Sequence, residues 1–310
     1  MTQIFAALIP MFLVIAVGAL LRARRVVGAE GWDAVERLTF YVLFPCLLVS
    51  RIGSAEMPGA GWLPLAGAVM SVTAAIWIAV TVLRPGIRWA GPFYAAVVHG
   101  MLRPNSYIAF AGAFALYGEA GLTLAAVCIF AATPLANLLT VYSHCRWGGT
   151  AADGQADAHR RALSEAVRNP VVIACVLGAT LNLSGWGLPP LISDGMDLLG
   201  RASLALGLLA VGASLDLRAL RTAGGAAGTA VAVKLAVMPA LAVFACGVFG
   251  VGGVAVSVAV MYAAAPVSAT AYVIARRMGD DGELMAAIVA LSTLISAATL
   301  PVVIWALGAR

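Results

Sequence analysis

The chain has 310 residues, of which 62% are hydrophobic and 11% charged, and its mean hydropathy is +0.98. A soluble domain carries about 25% charged residues, so this composition excludes a water-soluble globular protein and leaves a membrane-embedded one. The net charge of +5 does not call for nucleic acid, because the basic residues sit in short clusters between apolar runs, where membrane topology accounts for them.

Apolar runs near the roughly 20 residues a spanning helix needs recur along the whole chain. In chain order they predict helices at 4–21, 38–52, 62–83, 89–117, 122–142, 168–184, 191–215, 226–249, 251–275 and 284–307. In the first, Arg22, Arg24 and Arg25 follow the apolar stretch rather than precede it, the pattern of a retained helix and not of a signal peptide. No room is left for a separate soluble domain. Residues 1–310 are expected to form a single membrane domain, with five helices in 1–144, a polar cytoplasmic linker at 145–165 and five more helices in 166–310. The cysteines, Cys46, Cys128, Cys145, Cys175 and Cys246, show no CxxC and no paired spacing, so neither a disulfide framework nor a zinc site is signalled.

Basic residues set the orientation. The odd-numbered loops hold fourteen of the 19, from the Arg22 cluster to Arg276 and Arg277; the even loops and termini hold only Arg51 and Arg310, and Arg103, Arg201 and Lys234 fall within spans. The odd loops are therefore expected on the cytoplasmic side of a plasma (inner) membrane, with both termini outside.

A shift of 161 residues lays Tyr117-Gly118-Glu119-Ala120-Gly121 on Met278-Gly279-Asp280-Asp281-Gly282, Leu47-Leu48-Val49 on Leu208-Leu209-Ala210, and Pro104-Asn105 on Ala265-Pro266. Three helices agreeing on one offset point to duplication. Each half holds an odd number of spans, so the second enters the membrane from the opposite side and the repeats are inverted. That arrangement is common in secondary transporters, whose sites lie near the midplane at interrupted helices.

Two spans carry such interruptions. The fourth reads His99-Gly100-Met101-Leu102-Arg103-Pro104-Asn105-Ser106, and the ninth Tyr262-Ala263-Ala264-Ala265-Pro266-Val267-Ser268. A proline removes a backbone donor and clashes with the preceding turn, and the freed carbonyls must find partners in protein, water or a ligand. Asn105 and Ser106 are N-cap residue types, so a half-helix can restart there with its positive dipole end at the break, and a second is expected near Pro266 to Ser268. Two such ends facing one cavity suit a carboxylate; simple proline kinks are the alternative.

Arg103, a mid-span guanidinium, must face protein or water. It either pairs with an anionic substrate or hydrogen-bonds the freed carbonyls. Lys234 allows the same two roles, or snorkelling. His99 suits a proton-linked role or plain packing, and Asn137 a helix-to-helix hydrogen bond or cavity lining. Every Asp and Glu falls in a loop or near a span end. The chain therefore lacks the buried carboxylate of a cation/proton antiporter and the GxxxxGK[ST] loop of a primary pump, and no nucleophile and base are paired for an intramembrane hydrolase.

Leu38-Thr39-Phe40-Tyr41-Val42-Leu43-Phe44-Pro45, Pro104-Asn105-Ser106, Arg168-Asn169-Pro170 and Ala265-Pro266, in this order and spacing, resemble the auxin efflux carrier family, which includes bacterial malate and malonate permeases and plant PIN-FORMED auxin transporters. The resemblance implies an all-α integral membrane fold of ten transmembrane helices in two inverted repeats, with helices 4 and 9 broken and crossing, related to bile-acid symporters and sodium/proton antiporters. It also implies a scaffold of spans one, two, six and seven, a moving domain of the others, and homodimerisation. One departure is that many members follow the asparagine with Gly-x-Pro, where this chain has Ala109-Phe110-Ala111.

The expected function is non-enzymatic: secondary transport of small mono- or dicarboxylates by elevator-type alternating access, without a cofactor and with coupling to Na+ or H+ left open. Arg103, Pro104, Asn105, Ser106, Asn137, Pro266 and Ser268 are the candidate substrate-binding residues, and His99 and Lys234 the candidates for a proton or charge role. Two alternatives are a sodium-coupled symporter of larger, bile-acid-like anions and a membrane sensor without flux.

Overall fold

The computed structural model describes residues 2–55, 62–148, 164 and 168–308. The expected linker at 145–165 lies largely outside them, and its first residues continue a helix that ends at Trp147. Among the described residues the chain is helical, without strands.

Helix α1 is Thr2–Ala23. Next come α2, Ala29–Leu38, a π-helical turn at Thr39–Leu43, and α3, Phe44–Gly53, as one continuous helix. It starts nine residues before the expected 38, because α2 carries its charges on one side and buries Trp32 on the other, a pattern that hydropathy alone passes over. After α4 (Leu63–Leu83) come α5 (Gly91–Leu102) and α6 (Ser106–Trp147). Gly118 divides α6 into two rods: its φ of 57° and ψ of −140° are backbone angles that only glycine adopts without strain.

The second half begins with α7 (Pro170–Ser184), capped by Asn169, whose side chain accepts the Val171 N–H at 2.9 Å. It continues through α8 (Pro190–Ser214), a 3-10 segment (Leu217–Thr222) and α9 (Gly225–Ala232). A second π turn, Val233–Val237, leads into α10 (Met238–Val248). Then follow α11 (Val254–Ala264), α12 (Thr270–Arg277) and α13 (Gly282–Ala306). Each π turn stands just before a proline, Pro45 or Pro239, whose ring crowds the carbonyl four residues back, at Tyr41 or Leu235, and widens the turn there.

Among the described residues, six helical stretches are long and apolar enough to cross a membrane: Thr2–Ala23, Leu63–Gly86, Ser106–Trp147, Pro190–Ser214, Gly225–Val248 and Gly282–Ala306. Large apolar side chains such as Leu13, Val82, Leu183 and Phe244 face outward, while His99, Asn105, Lys234 and Ser292 are buried. That is the distribution of a protein solvated by lipid, in which backbone and polar groups must be satisfied internally.

The helices sort by packing into two groups. In one, α1 lies on α8, and α3 lies on α7 and α8; in the other, α4, α6, α10 and α11 pack on one another with α5 and α13 alongside. The α1–α8 contact is backbone to backbone. A β-carbon added at Gly212 would lie 1.8 Å from the Ile15 carbonyl oxygen, and one at Gly18 would lie 2.1 Å from that of Leu209.

Candidate functional site: a crossing of two broken helices

Helix α5 ends at Leu102, Arg103 to Asn105 run extended, and α6 restarts at Ser106. The Asn105 side chain caps the restart by accepting the Ile108 N–H at 3.2 Å. On the other side α11 ends at Ala264 and α12 restarts at Thr270, two residues beyond the expected Ser268. The two extended stretches lie antiparallel, with Pro104 opposite Val267. The Asn105 N–H donates to the Pro266 carbonyl at 2.7 Å, and the Ser268 N–H donates to the Arg103 carbonyl at 3.0 Å. These two hydrogen bonds are related by a local twofold that exchanges Asn105 with Ser268 and Arg103 with Pro266.

Beside the crossing is a cavity with an open mouth. Arg103, Pro104 and Ser106 from the first break and Ser268 and Thr270 from the second line it, with Asn137 and Thr133 from α6 and Tyr262 from α11. The other helix group supplies Phe40, Phe44 and Asn169, so the cavity lies between the two groups. The Arg103 guanidinium reaches the Thr270 hydroxyl at 3.5 Å, and that hydroxyl is 2.9 Å from the Ser268 hydroxyl. Among the described lining residues Arg103 is the single formal charge. Both half-helix starts, Ser106 and Thr270, border the same space, so their positive dipole ends and the guanidinium converge on it.

The structure thus brings together five of the expected site residues, Arg103, Pro104, Ser106, Asn137 and Ser268. Asn105 faces a second, smaller cavity on the other side of Tyr107, and Pro266 contributes its carbonyl to the crossing. Lys234 and His99 are elsewhere. Lys234 is fully buried on the second π turn, where its ammonium donates to the Ala263 carbonyl at 2.8 Å. His99 is fully buried against His144, away from the cavity. Sequence reasoning missed Thr133, Tyr262, Thr270 and Asn169. Thr133 was the most accessible of these, since it precedes Asn137 by four residues and so shares its helix face.

The profile of the family described as "Membrane transport protein" matches residues 157–304. An "Uncharacterized transporter" of Methanothermobacter thermautotrophicus is 25% identical over 299 residues, covering 93% of this chain and 93% of that protein. A multi-pass helical fold with two broken helices meeting beside a cavity agrees with both matches, and the chain is similar to membrane transport proteins over its second half and to an uncharacterized transporter over nearly its whole length.

Proposed function

We propose that the protein is a secondary transporter of small organic anions, mono- or dicarboxylates, working by elevator-type alternating access. The observation that carries this reading is the convergence of the Arg103 guanidinium with the starts of two half-helices at one cavity between two helix groups. A carboxylate there would accept from the guanidinium and from the Ser106, Ser268 and Thr270 hydroxyls, with Asn137 opposite.

The proposal counts ten spans by joining α2 and α3 through their π turn and α9 and α10 through theirs, dividing α6 at Gly118, and counting each broken helix once. The local twofold at the crossing supports two inverted five-helix repeats. With the basic residues of the odd loops in the cytoplasm, the lining residues Phe40 and Asn169, which stand at the starts of their spans, lie on the cytoplasmic side of the cavity.

The test is thermal stability of the detergent-purified protein against a panel of small carboxylates, with flux into proteoliposomes as the second readout. Wild type is expected to be stabilised increasingly with concentration, and Arg103→Ala to bind at least about 30-fold more weakly, as for a charge pair worth ~2 kcal/mol. Equal stabilisation of both proteins would remove Arg103 from the site. Binding without flux would refute transport.

A further inference from the structure

We propose that His99, His144 and Asp280 form a buried site for one zinc-class divalent cation, which ties the first broken helix to its neighbours. The inference stands apart from the transport reading.

The three residues come from separate elements: His99 from α5, His144 from the last turn of α6, and Asp280 from the turn between α12 and α13. All are buried, with residue exposures of 0%, 3% and 9%. One ligand atom from each lies within 4.8 Å of the others. The two imidazole rings stand edge to face with centroids 5.9 Å apart.

Their polar atoms have been taken out of water. The His144 Nδ1 lies 2.7 Å from an Asp280 oxygen as an ion pair, and beyond that contact the ring nitrogens of His99 and His144 and the carboxylate oxygens of Asp280 meet no hydrogen-bond partner among the described residues.

Two neutral imidazoles and one carboxylate are a ligand set for zinc and its neighbours, with a fourth position left for water. Magnesium and calcium want six or more oxygens, and this cluster offers one carboxylate. Bonds of about 2.0–2.1 Å in a tetrahedron put neighbouring ligand atoms about 3.3 Å apart, so side-chain rotation must close the widest separation by about 1.5 Å. His99 lies four residues before Arg103, so the cation would hold α5 in place just before the crossing. Forty-five residues separate the first two ligands and 136 the last two, which is why no local motif announces them.

The experiment uses full-length protein purified on a tag without histidine, stripped with a chelator and reloaded with Zn2+ or Co2+. One equivalent of metal per chain is expected, with the intense visible bands of tetrahedral Co2+ and a melting temperature raised by Zn2+ but not by Mg2+. His144→Gln and Asp280→Asn should each weaken binding by at least about 100-fold, since even outer-shell partners of metal ligands contribute 10–100-fold. His159→Gln should retain wild-type stoichiometry. Substoichiometric metal in wild type, octahedral Co2+ spectra, or ligand variants that bind as wild type does would each overturn the site. If the variants fail to fold, wild-type stoichiometry and the Co2+ spectrum decide.

Discussion

In an unbroken helix the Ala263 carbonyl would accept the Val267 N–H. At the break that N–H donates instead to the Ser292 hydroxyl at 3.1 Å, and the Lys234 ammonium takes its place on the carbonyl at 2.8 Å. A cation at the C-terminal end of α11 also meets the negative end of that helix dipole. Lys234→Met keeps the apolar stem and removes the donor, leaving a buried carbonyl without its partner. A loss of roughly 1.5–3 kcal/mol is expected, the usual contribution of a hydrogen bond from a charged group. Thermal denaturation measures it, and unchanged stability combined with lost flux would make Lys234 a functional charge instead. That a cation stood mid-span was legible in the sequence. Bonding to a carbonyl freed at a break was one of the roles the sequence allowed; which carbonyl was not legible, because it lies 29 residues away and becomes available only when α11 stops.

At the scale of elements, the positions of the breaks and their capping by Asn105 could be read from proline and cap chemistry, whereas the register between the halves could not. The offset of 161 aligns Gly118 with Gly279, and both have positive φ, 57° and 77°. At the crossing, however, the hydrogen bonds pair Asn105 with Ser268 and Pro104 with Val267, an offset of 163. Under the repeat reading the half-helix after the second break is two residues shorter than its counterpart. A single sequence shift cannot show this, because Pro104 and Pro266 differ by 162 and so lie one residue away from both registers. The α1–α8 contact was equally hidden, since glycines in a glycine-rich chain do not announce which one meets a backbone. Gly212→Leu should force the two helices apart, with a cost of at least about 1–3 kcal/mol from overpacking. Gly247→Leu, where a β-carbon meets nothing within 4 Å, should leave the melting temperature near wild type or raise it. Similar losses from both substitutions would mean that α1 and α8 do not meet as described.

At the scale of the whole molecule, the transport reading makes a cluster of ion pairs the closure at the end away from Phe40 and Asn169. Arg51, at the end of α3 and largely buried, pairs with Glu119 and, at 3.2 Å, with Asp197; Arg201 pairs with Glu119 at 3.0 Å. Arg51, Asp197 and Arg201 belong to one helix group and Glu119, at the Gly118 kink, to the other, so the two ion pairs that Glu119 makes straddle the boundary that the proposed elevator motion would have to shear, while the Arg51–Asp197 pair lies within one group. Arg51 lies eleven residues beyond Phe40 on the same composite helix, about 16 Å at 1.5 Å per residue, which places the closure and the cavity wall at different depths. Glu119→Gln keeps the shape of the side chain and removes two ion pairs at once. The exposed pair with Arg201 contributes about 0–1 kcal/mol and the pair with buried Arg51 more. The substitution should therefore move the equilibrium by about 1.4 kcal/mol, or tenfold, toward the state open at this end. Spin-label distances between the start of the second rod of α6 and the Arg201 turn of α8 should broaden toward longer values in the variant, and in wild type at high salt, because the Glu119 side of the network is half exposed and screened. If the distribution is the same in the variant as in wild type at every salt concentration, the ion pairs decorate this end without holding it shut, and the closure must rest on the packing of α3 and α8 against α6 alone.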